Sequence, residues 1–134
     1  MTPTQDAAPE EPSLPEAVRE LITRCIDSVA ELEALLLLFN APQTRWDVAA
    51  VARRLYIPEA SAAAALRHLR LNGLAAVTGE QWRFEAEVPE VGDAVLALSD
   101  LYSRRLVVIT ALIHGKTARG IEAFARAFVL RRND

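Results

Sequence analysis

Residues 46–84 read WDVAAVARRLYIPEASAAAALRHLRLNGLAAVTGEQWRF. Apolar residues recur at helical spacing over 48–55, and Asp47 is placed to accept hydrogen bonds from the free amides of that first turn. Pro58 favours the first turn of a second helix, since it lacks the backbone donor that would go unpaired there. Gly73 can take the left-handed conformation that ends a helix. The pattern therefore predicts two short helices joined by a tight turn.

A hairpin is predicted directly after the second helix. Residues 74–77 and 81–84 are strand-like, and the three residues Thr78, Gly79 and Glu80 between them are typical of a turn. Helix, turn, helix and hairpin in this order predict a winged helix-turn-helix. The expected fold class is thus mainly α with a small β-hairpin, with further helices on both sides of this module.

A resemblance supports this fold. The run 57–69, closed by Asn72-Gly73-Leu74, is similar to the recognition helix of bacterial winged-helix regulators of the multiple-antibiotic-resistance and arsenic-repressor types. Residues 26–38, 52–56 and 121–128 also resemble a family of small bacterial winged-helix proteins that has no assigned activity. The resemblance implies a fold more than a function, and it carries no catalytic motif over.

Composition shifts predict the organisation of the rest of the chain. Residues 1–13 hold three prolines and no large apolar side chain after Met1, which predicts a disordered acidic tail. Residues 14–134 are expected to form one domain. Within it we expect N-terminal helices over 14–40, the winged helix-turn-helix over 44–86 and C-terminal helices over 93–132.

Capping signals refine the flanking helices. Ser28 followed by Glu31 is typical of a capping box, so the N-terminal segment should break near residues 27–28. We expect residues 88–92 to be a linker and Asp93 to cap a long helix from Ala94 to about His114, which Gly115 ends. A last amphipathic helix is predicted over 117–130.

The C-terminal helices predict a homodimer. Residues 106–113 are apolar nearly all round, and such a helix has to be covered on every side. Winged-helix regulators commonly pair through helices that flank the module, and cyclic dimers are the commonest assembly. The alternative is a monomer whose own terminal helices close the core. The predicted dimerisation residues are Leu101, Leu106, Ile109, Leu112, Ile113, Phe124 and Phe128.

Charge makes double-stranded DNA the expected partner. The chain carries a formal charge of −3, but residues 41–83 hold six arginines against three acids. Neutralising phosphates supplies much of the affinity for a duplex. Few side chains are suited to distinguishing one base from another, since the first turns of the second helix offer mainly glutamate, serine and methyl groups. The candidate DNA-binding residues are Ser61, Arg67, His68 and Arg70 of that helix, Arg53 and Arg54 of the helix before it, and Arg83 of the hairpin.

The sequence gives little support for catalysis, a metal site or a membrane span. No Ser-His-Asp set, glycine-rich phosphate loop or paired carboxylates at a catalytic spacing occurs, so we expect no enzyme and no cofactor. His68 and His114 are far apart and Cys25 is the single cysteine, which argues against a metal site and favours a reduced cytoplasm. No apolar run is long enough to span a membrane.

Two functions of different class remain. The first is a dimeric DNA-binding transcriptional regulator, which the module and its arginines favour. The second is a protein-interaction or adaptor module that keeps the scaffold and docks a partner on the small-residue face of residues 59–72 or on the terminal helices. Alanines on that face allow another backbone to approach closely. We expect the regulator, because DNA binding is the commonest use of this fold.

Overall fold

A computed structural model describes residues 14–116 of the chain. This part is mainly helical with one antiparallel hairpin, which confirms the predicted fold class. The helices are α1 (Glu16–Cys25), α2 (Val29–Asn40), α3 (Val48–Leu55), α4 (Glu59–Leu71), α5 (Pro89–Tyr102) and α6 (106–116). The strands are β1 (Ala75–Thr78) and β2 (Gln81–Phe84).

Local sequence signals set the helix boundaries around the centre of the fold. Ser28 Oγ accepts a hydrogen bond from the Glu31 amide at 3.1 Å, so the predicted break between α1 and α2 is confirmed. Asp47 caps α3 by accepting from the Ala50 amide at 2.8 Å. Gly73 follows α4 with φ +75°, the left-handed conformation expected there. These three predictions are all confirmed.

The hairpin packs beside α4 with a fixed register. Ala75 pairs with Phe84 and Thr78 pairs with Gln81, so two residues form the turn. Gly79, with φ 63°, supplies the positive φ of this turn. β1 begins and ends one residue later than predicted, so Thr78 belongs to the strand and not to the turn, whereas β2 has the predicted bounds.

The core is built around α2. This helix contacts α3, α4, α5 and β2, and residues on nearly all of its sides are buried or half-buried. α1 packs mainly on α5. Each fully buried leucine or isoleucine contributes about 1.5–3 kcal/mol by leaving water. The largest fully buried side chains are Ile22, Ile26, Leu32, Leu35, Leu38, Leu66, Leu69, Leu74, Leu98, Ile109 and Ile113.

The predicted start of the C-terminal helices was wrong. Residues 88–92 are not a linker, and Asp93 is not the cap, because α5 already begins at Pro89 after Val88. Proline at the first helical position sacrifices no hydrogen bond and has a φ that suits the helix. Pro89 is thus the first residue of α5, whereas Pro58, predicted in the first turn of α4, is the N-cap residue before Glu59.

The long helix predicted over 94–114 is interrupted. Residues 103–105 form a turn between α5 and α6, and no proline or glycine marks that place. α6 also runs through Gly115 to Lys116, so the predicted end at Gly115 was wrong. The predicted tail 1–13 and the predicted last helix 117–130, with Phe124 and Phe128, lie outside the described residues.

Candidate nucleic-acid interface

The outward face of α4 is the surface that the sequence predicts to meet DNA. Opposite its buried residues Ala62, Ala65, Leu66 and Leu69, the helix exposes a stripe at helical spacing. The stripe consists of Ala60, Ala64, Arg67 and Leu71. Arg67 thus projects from a face that is otherwise made of methyl groups and one leucine.

Two arginines of α4 keep their charge available. Arg67 and Arg70 are both exposed, and neither has a hydrogen bond or an ion pair with another residue between 14 and 116. Ser61, near the beginning of the helix, is exposed as well. These three side chains are the predicted contacts that the structure leaves on the solvent side of α4.

The two arginines of α3 point to different surroundings. Arg53 is exposed on the side of α3 away from the core, where no described residue pairs with it. Arg54 lines a groove between α2 and α5. Arg54 therefore borders a groove that no residue of α4 lines, although it is the next residue after Arg53.

His68 is half-buried, and its ring contacts two carboxylates. Its Nδ1 lies 2.8 Å from Glu31 Oε1, and its Nε2 lies 3.4 Å from Asp27 Oδ2. Lys116 Nζ of α6 contacts the same aspartate at 3.0 Å. The lysine also donates to the carbonyl oxygens of Ile22 at 2.8 Å and Ile26 at 2.5 Å. This polar cluster joins α4 and α6 to the junction between α1 and α2.

Sequence reasoning missed this cluster. The ligand atoms of Asp27, Glu31 and His68 lie within 4.8 Å of one another, a grouping that metal sites also use. Here the Lys116 ammonium already supplies a positive charge at Asp27, so we interpret the group as a tie between helices. The capping box located Glu31, but nothing in the sequence indicated that residue 68 would reach it.

The guanidinium of Arg83 is held within the hairpin. It donates to Thr78 Oγ1 at 2.9 Å and to Glu85 Oε1 at 3.1 Å. Both interactions are exposed, so each contributes little to stability. An approaching phosphate would compete with Glu85 for this arginine.

A cleft next to the beginning of α4 carries the opposite charge. It has a volume of about 420 Å³ and lies between the first turns of α3 and α4 and the hairpin, with Val77 and Trp82 in its walls. Its three carboxylates are Asp47, Glu59 and Glu80. Asp47 caps α3, whereas Glu59 and Glu80 have no ion-pair partner among the described residues. This cleft would repel a phosphate.

The predicted dimerisation residues separate into two groups. Ile109 and Ile113 are fully buried in the core of the chain itself. Leu101 and Leu112 are half-buried, and Leu106 is 47% exposed. The residue after Leu106 is a valine that is 77% exposed. Within the described part of α6, the exposed apolar surface is therefore at residues 106–107 and does not include the two isoleucines.

The tryptophans and the cysteine are parts of the packing. Trp46 is buried, and its indole Nε1 donates to the Ala41 carbonyl at 3.0 Å. The Trp82 amide donates to the Trp46 carbonyl at 2.7 Å, which attaches the hairpin to the segment before α3. Burial raises the pKa of the Cys25 thiol, although Lys116 and Arg24 act in the opposite direction. A raised pKa disfavours the reactive thiolate.

Comparisons with known proteins give no relatives to argue from. No family model, curated protein or solved structure matches this chain. Among residues 14–116, no helix combines the length and the apolar character needed to cross a bilayer.

Proposed function

We propose that this protein is a winged-helix transcriptional regulator that binds double-stranded DNA as a dimer in the cytoplasm. The observation that carries the proposal is the pair Arg67 and Arg70, exposed on α4 without acidic partners in the described residues. The elements follow one another as helix, turn, helix and hairpin, and α4 is the second of these helices. In this arrangement the second helix commonly enters the major groove.

Phosphate contacts provide most of the affinity in this proposal. Arg67 and Arg70 of each copy, with Arg53 as a further cation, give a dimer about six such contacts, the lower end of what strong duplex binders use. Arg83 adds a further phosphate contact if its guanidinium releases the Glu85 carboxylate. Side chains suited to bidentate base recognition are scarce on the face, so selectivity between sequences is expected to be low.

Dimerisation is part of the proposal. Leu106 and Val107 form an exposed apolar pair on α6, a helix that flanks the module. To bind one duplex, a dimer that pairs through this helix has to present both copies of α4 to the same side. Successive major grooves are about 34 Å apart, so the two α4 helices of the dimer need that separation.

A fluorescence anisotropy titration across a salt series tests the proposal. The ligands are labelled promoter fragments, including the region upstream of the protein's own gene, and a scrambled duplex of the same length. We expect binding at low salt that weakens steeply as salt rises, because bound arginines displace counterions. Absence of binding to every duplex at low salt would refute the proposal.

Two exposed side chains favour a second candidate, a protein-interaction module. Tyr56 is 93% exposed and has a left-handed backbone with φ 59°, and Leu71 is 83% exposed at the other end of α4. Tyrosine and arginine are enriched among the residues that dominate protein interfaces. An affinity purification on the full chain distinguishes the two functions, since an adaptor retains a stoichiometric protein partner after nuclease treatment and a regulator does not.

A further inference from the structure

A groove between α2 and α5 has the features of a ligand site that is separate from the α4 face. Its volume is about 430 Å³, within the range of about 300–1,000 Å³ that small-molecule sites occupy. Leu36 and Leu37 of α2 provide an apolar surface, and Arg54 of α3 lies at its edge. Three helices therefore meet around one cavity.

Two neutral polar side chains of the groove, Asn40 and Ser99, hold each other in place. Asn40 Nδ2 donates to Ser99 Oγ at 3.0 Å, and Ser99 Oγ lies 3.2 Å from Asn40 Oδ1. These contacts orient the amide and the hydroxyl at the wall of the groove. A side-chain amide can make up to four hydrogen bonds, so Asn40 retains capacity for a ligand.

The one carboxylate of the groove is also engaged. Tyr102 donates its hydroxyl to Glu33 Oε2 at 3.1 Å. Burial raises the pKa of Tyr102 to about 12, and the charge of Glu33 and the hydrogen bond to it act in the same direction. The phenol therefore continues to donate to Glu33 in alkaline solution in which an ordinary tyrosine would ionise.

Arg54 is the unmatched charge of this site. It has no hydrogen bond or ion pair with any residue of the described range 14–116. Its guanidinium offers five donors in a planar fork that fits a carboxylate. The groove thus combines a cation, an apolar surface and an oriented amide–hydroxyl pair.

We propose that this groove binds a small organic carboxylate with a short apolar chain. The carboxylate of the ligand contacts the Arg54 guanidinium, and its apolar chain packs along Leu36 and Leu37. Asn40 hydrogen-bonds to any further polar group of the ligand. The binding does not require DNA and does not depend on the proposed regulator function. A bound ligand would link α3 to α2 and α5.

Amide NMR of the full-length protein tests this proposal with hexanoate as the probe. We expect hexanoate to shift the side-chain amide signals of Asn40 and the backbone signals of Ser99 and Tyr102 in a saturable way. Hexanamide, which has the same chain without the charge, should bind about tenfold more weakly, because a hydrogen bond to a charged group is stronger than one between neutral groups. Hexylammonium should bind more weakly still, because it meets Arg54.

Two variants locate the site. Arg54→Gln should weaken hexanoate binding about tenfold, because the charge-assisted contact is removed. Arg53→Gln removes the adjacent exposed arginine that does not line the groove, and it should bind hexanoate like the wild type. An unchanged affinity in Arg54→Gln, or an equal reduction in both variants, would overturn the proposal.

Another occupant of the groove would also be detected. If residues 117–134 or a second copy of the chain fill the groove, hexanoate will cause no saturable shifts at Asn40 and Ser99, and the proposal fails. Tighter binding of hexylammonium than of hexanoate would overturn it too, because Glu33 and not Arg54 would then select the ligand. DNA binding is measured separately, so either proposal can fail without the other.

Discussion

The two ends of α4 differ in both charge and attachment. At its beginning, Pro58 provides no side-chain cap, and Glu59 faces a cleft that two further carboxylates also line. The last two turns carry Arg67 and Arg70. This end of the helix is attached to the rest of the fold by His68, which contacts carboxylates at the α1–α2 junction, and by the turn at Gly73.

This difference indicates how the protein would engage a duplex. Recognition helices usually contact base edges with the residues of their first turns. Here that end offers carboxylates, whereas the cations lie toward the other end. We therefore expect the protein to hold phosphates with the second half of α4 and to read few bases.

The largest effect is expected from removing the cationic end. The double variant Arg67→Gln and Arg70→Gln should bind duplex DNA roughly hundredfold more weakly at low salt, because four arginines of the dimer no longer neutralise phosphates. The slope of log affinity against log salt should become shallower by about 0.9 for each phosphate that is no longer neutralised. Anisotropy titrations measure both quantities.

The control for this variant is Arg19→Gln. Arg19 is exposed on α1, away from the α4 face, so its replacement should leave the affinity and the salt slope unchanged. Equal behaviour of the double variant and the wild type would mean that the cationic end of α4 does not touch DNA.

A side chain at Gly73, in the turn that follows the cationic end of α4, is expected to destabilise the fold. Gly73→Ala should lower the free energy of unfolding by about 1–2 kcal/mol, because φ +75° is left-handed. A Cβ at that position would also meet the Glu87 carboxyl carbon at 3.0 Å, a flexible group that can move away. Urea denaturation followed by circular dichroism measures the change.

Gly92→Ala is the matched control. Gly92 lies inside α5, and a Cβ there would make ordinary contact with Ala86 Cβ at 3.9 Å. Alanine in a helix is favoured over glycine by about 0.5–1 kcal/mol, so this variant should be stabilised. A destabilised Gly92→Ala together with a neutral Gly73→Ala would contradict the backbone conformations of the two glycines.

Neutralising the acidic end should strengthen DNA binding. Glu59→Gln combined with Glu80→Gln removes repulsion between the cleft and nearby phosphates, and we expect a gain of about fivefold at low salt that disappears at high salt. Glu90→Gln, at the first turn of α5, is the control and should bind like the wild type. Weaker binding by the double variant would mean that the carboxylates contact the ligand directly.

The smallest effect is expected at the turn before α4. Tyr56→Asn should stabilise the fold by roughly 0.5 kcal/mol, because asparagine adopts a left-handed backbone more readily than tyrosine. Little packing is removed, since the Tyr56 side chain stands almost entirely in solvent. Thermal unfolding measures this gain. A variant that is more stable but no longer binds its partner would show that Tyr56 is kept for binding.

Local rules made the centre of the fold predictable. Ser28, Asp47 and Gly73 each act on backbone groups within a few residues, so their roles could be read from the sequence. The start of α5 was mispredicted because Pro89 and Asp93 are both helix-start signals, and sequence alone does not rank them. The turn at residues 103–105 was missed because its residues include no proline or glycine, the local signals from which a helix break can be predicted.

Only those side chains of the candidate DNA-binding surface whose exposure follows from helical spacing could be placed from the sequence. Arg67 and Arg70 could be placed on the outer side of α4, because its buried stripe was evident from the sequence. His68 could not be placed, since its carboxylate partners lie on another helix and the segment before it. The surroundings of Arg54 depend on where α5 packs, which no local pattern specifies.

Lys116 sets a limit on how far the protein can be shortened for biophysical work. Its ammonium donates hydrogen bonds to the carbonyl oxygens of Ile22 and Ile26 at the end of α1 and forms an ion pair with the Asp27 carboxylate. In a chain that stops at residue 115 the Ile22 carbonyl keeps its bond from the Ile26 amide, but the part-buried Ile26 carbonyl loses its donor, which costs about 1–3 kcal/mol. Truncated versions for crystallisation or NMR should therefore retain residue 116.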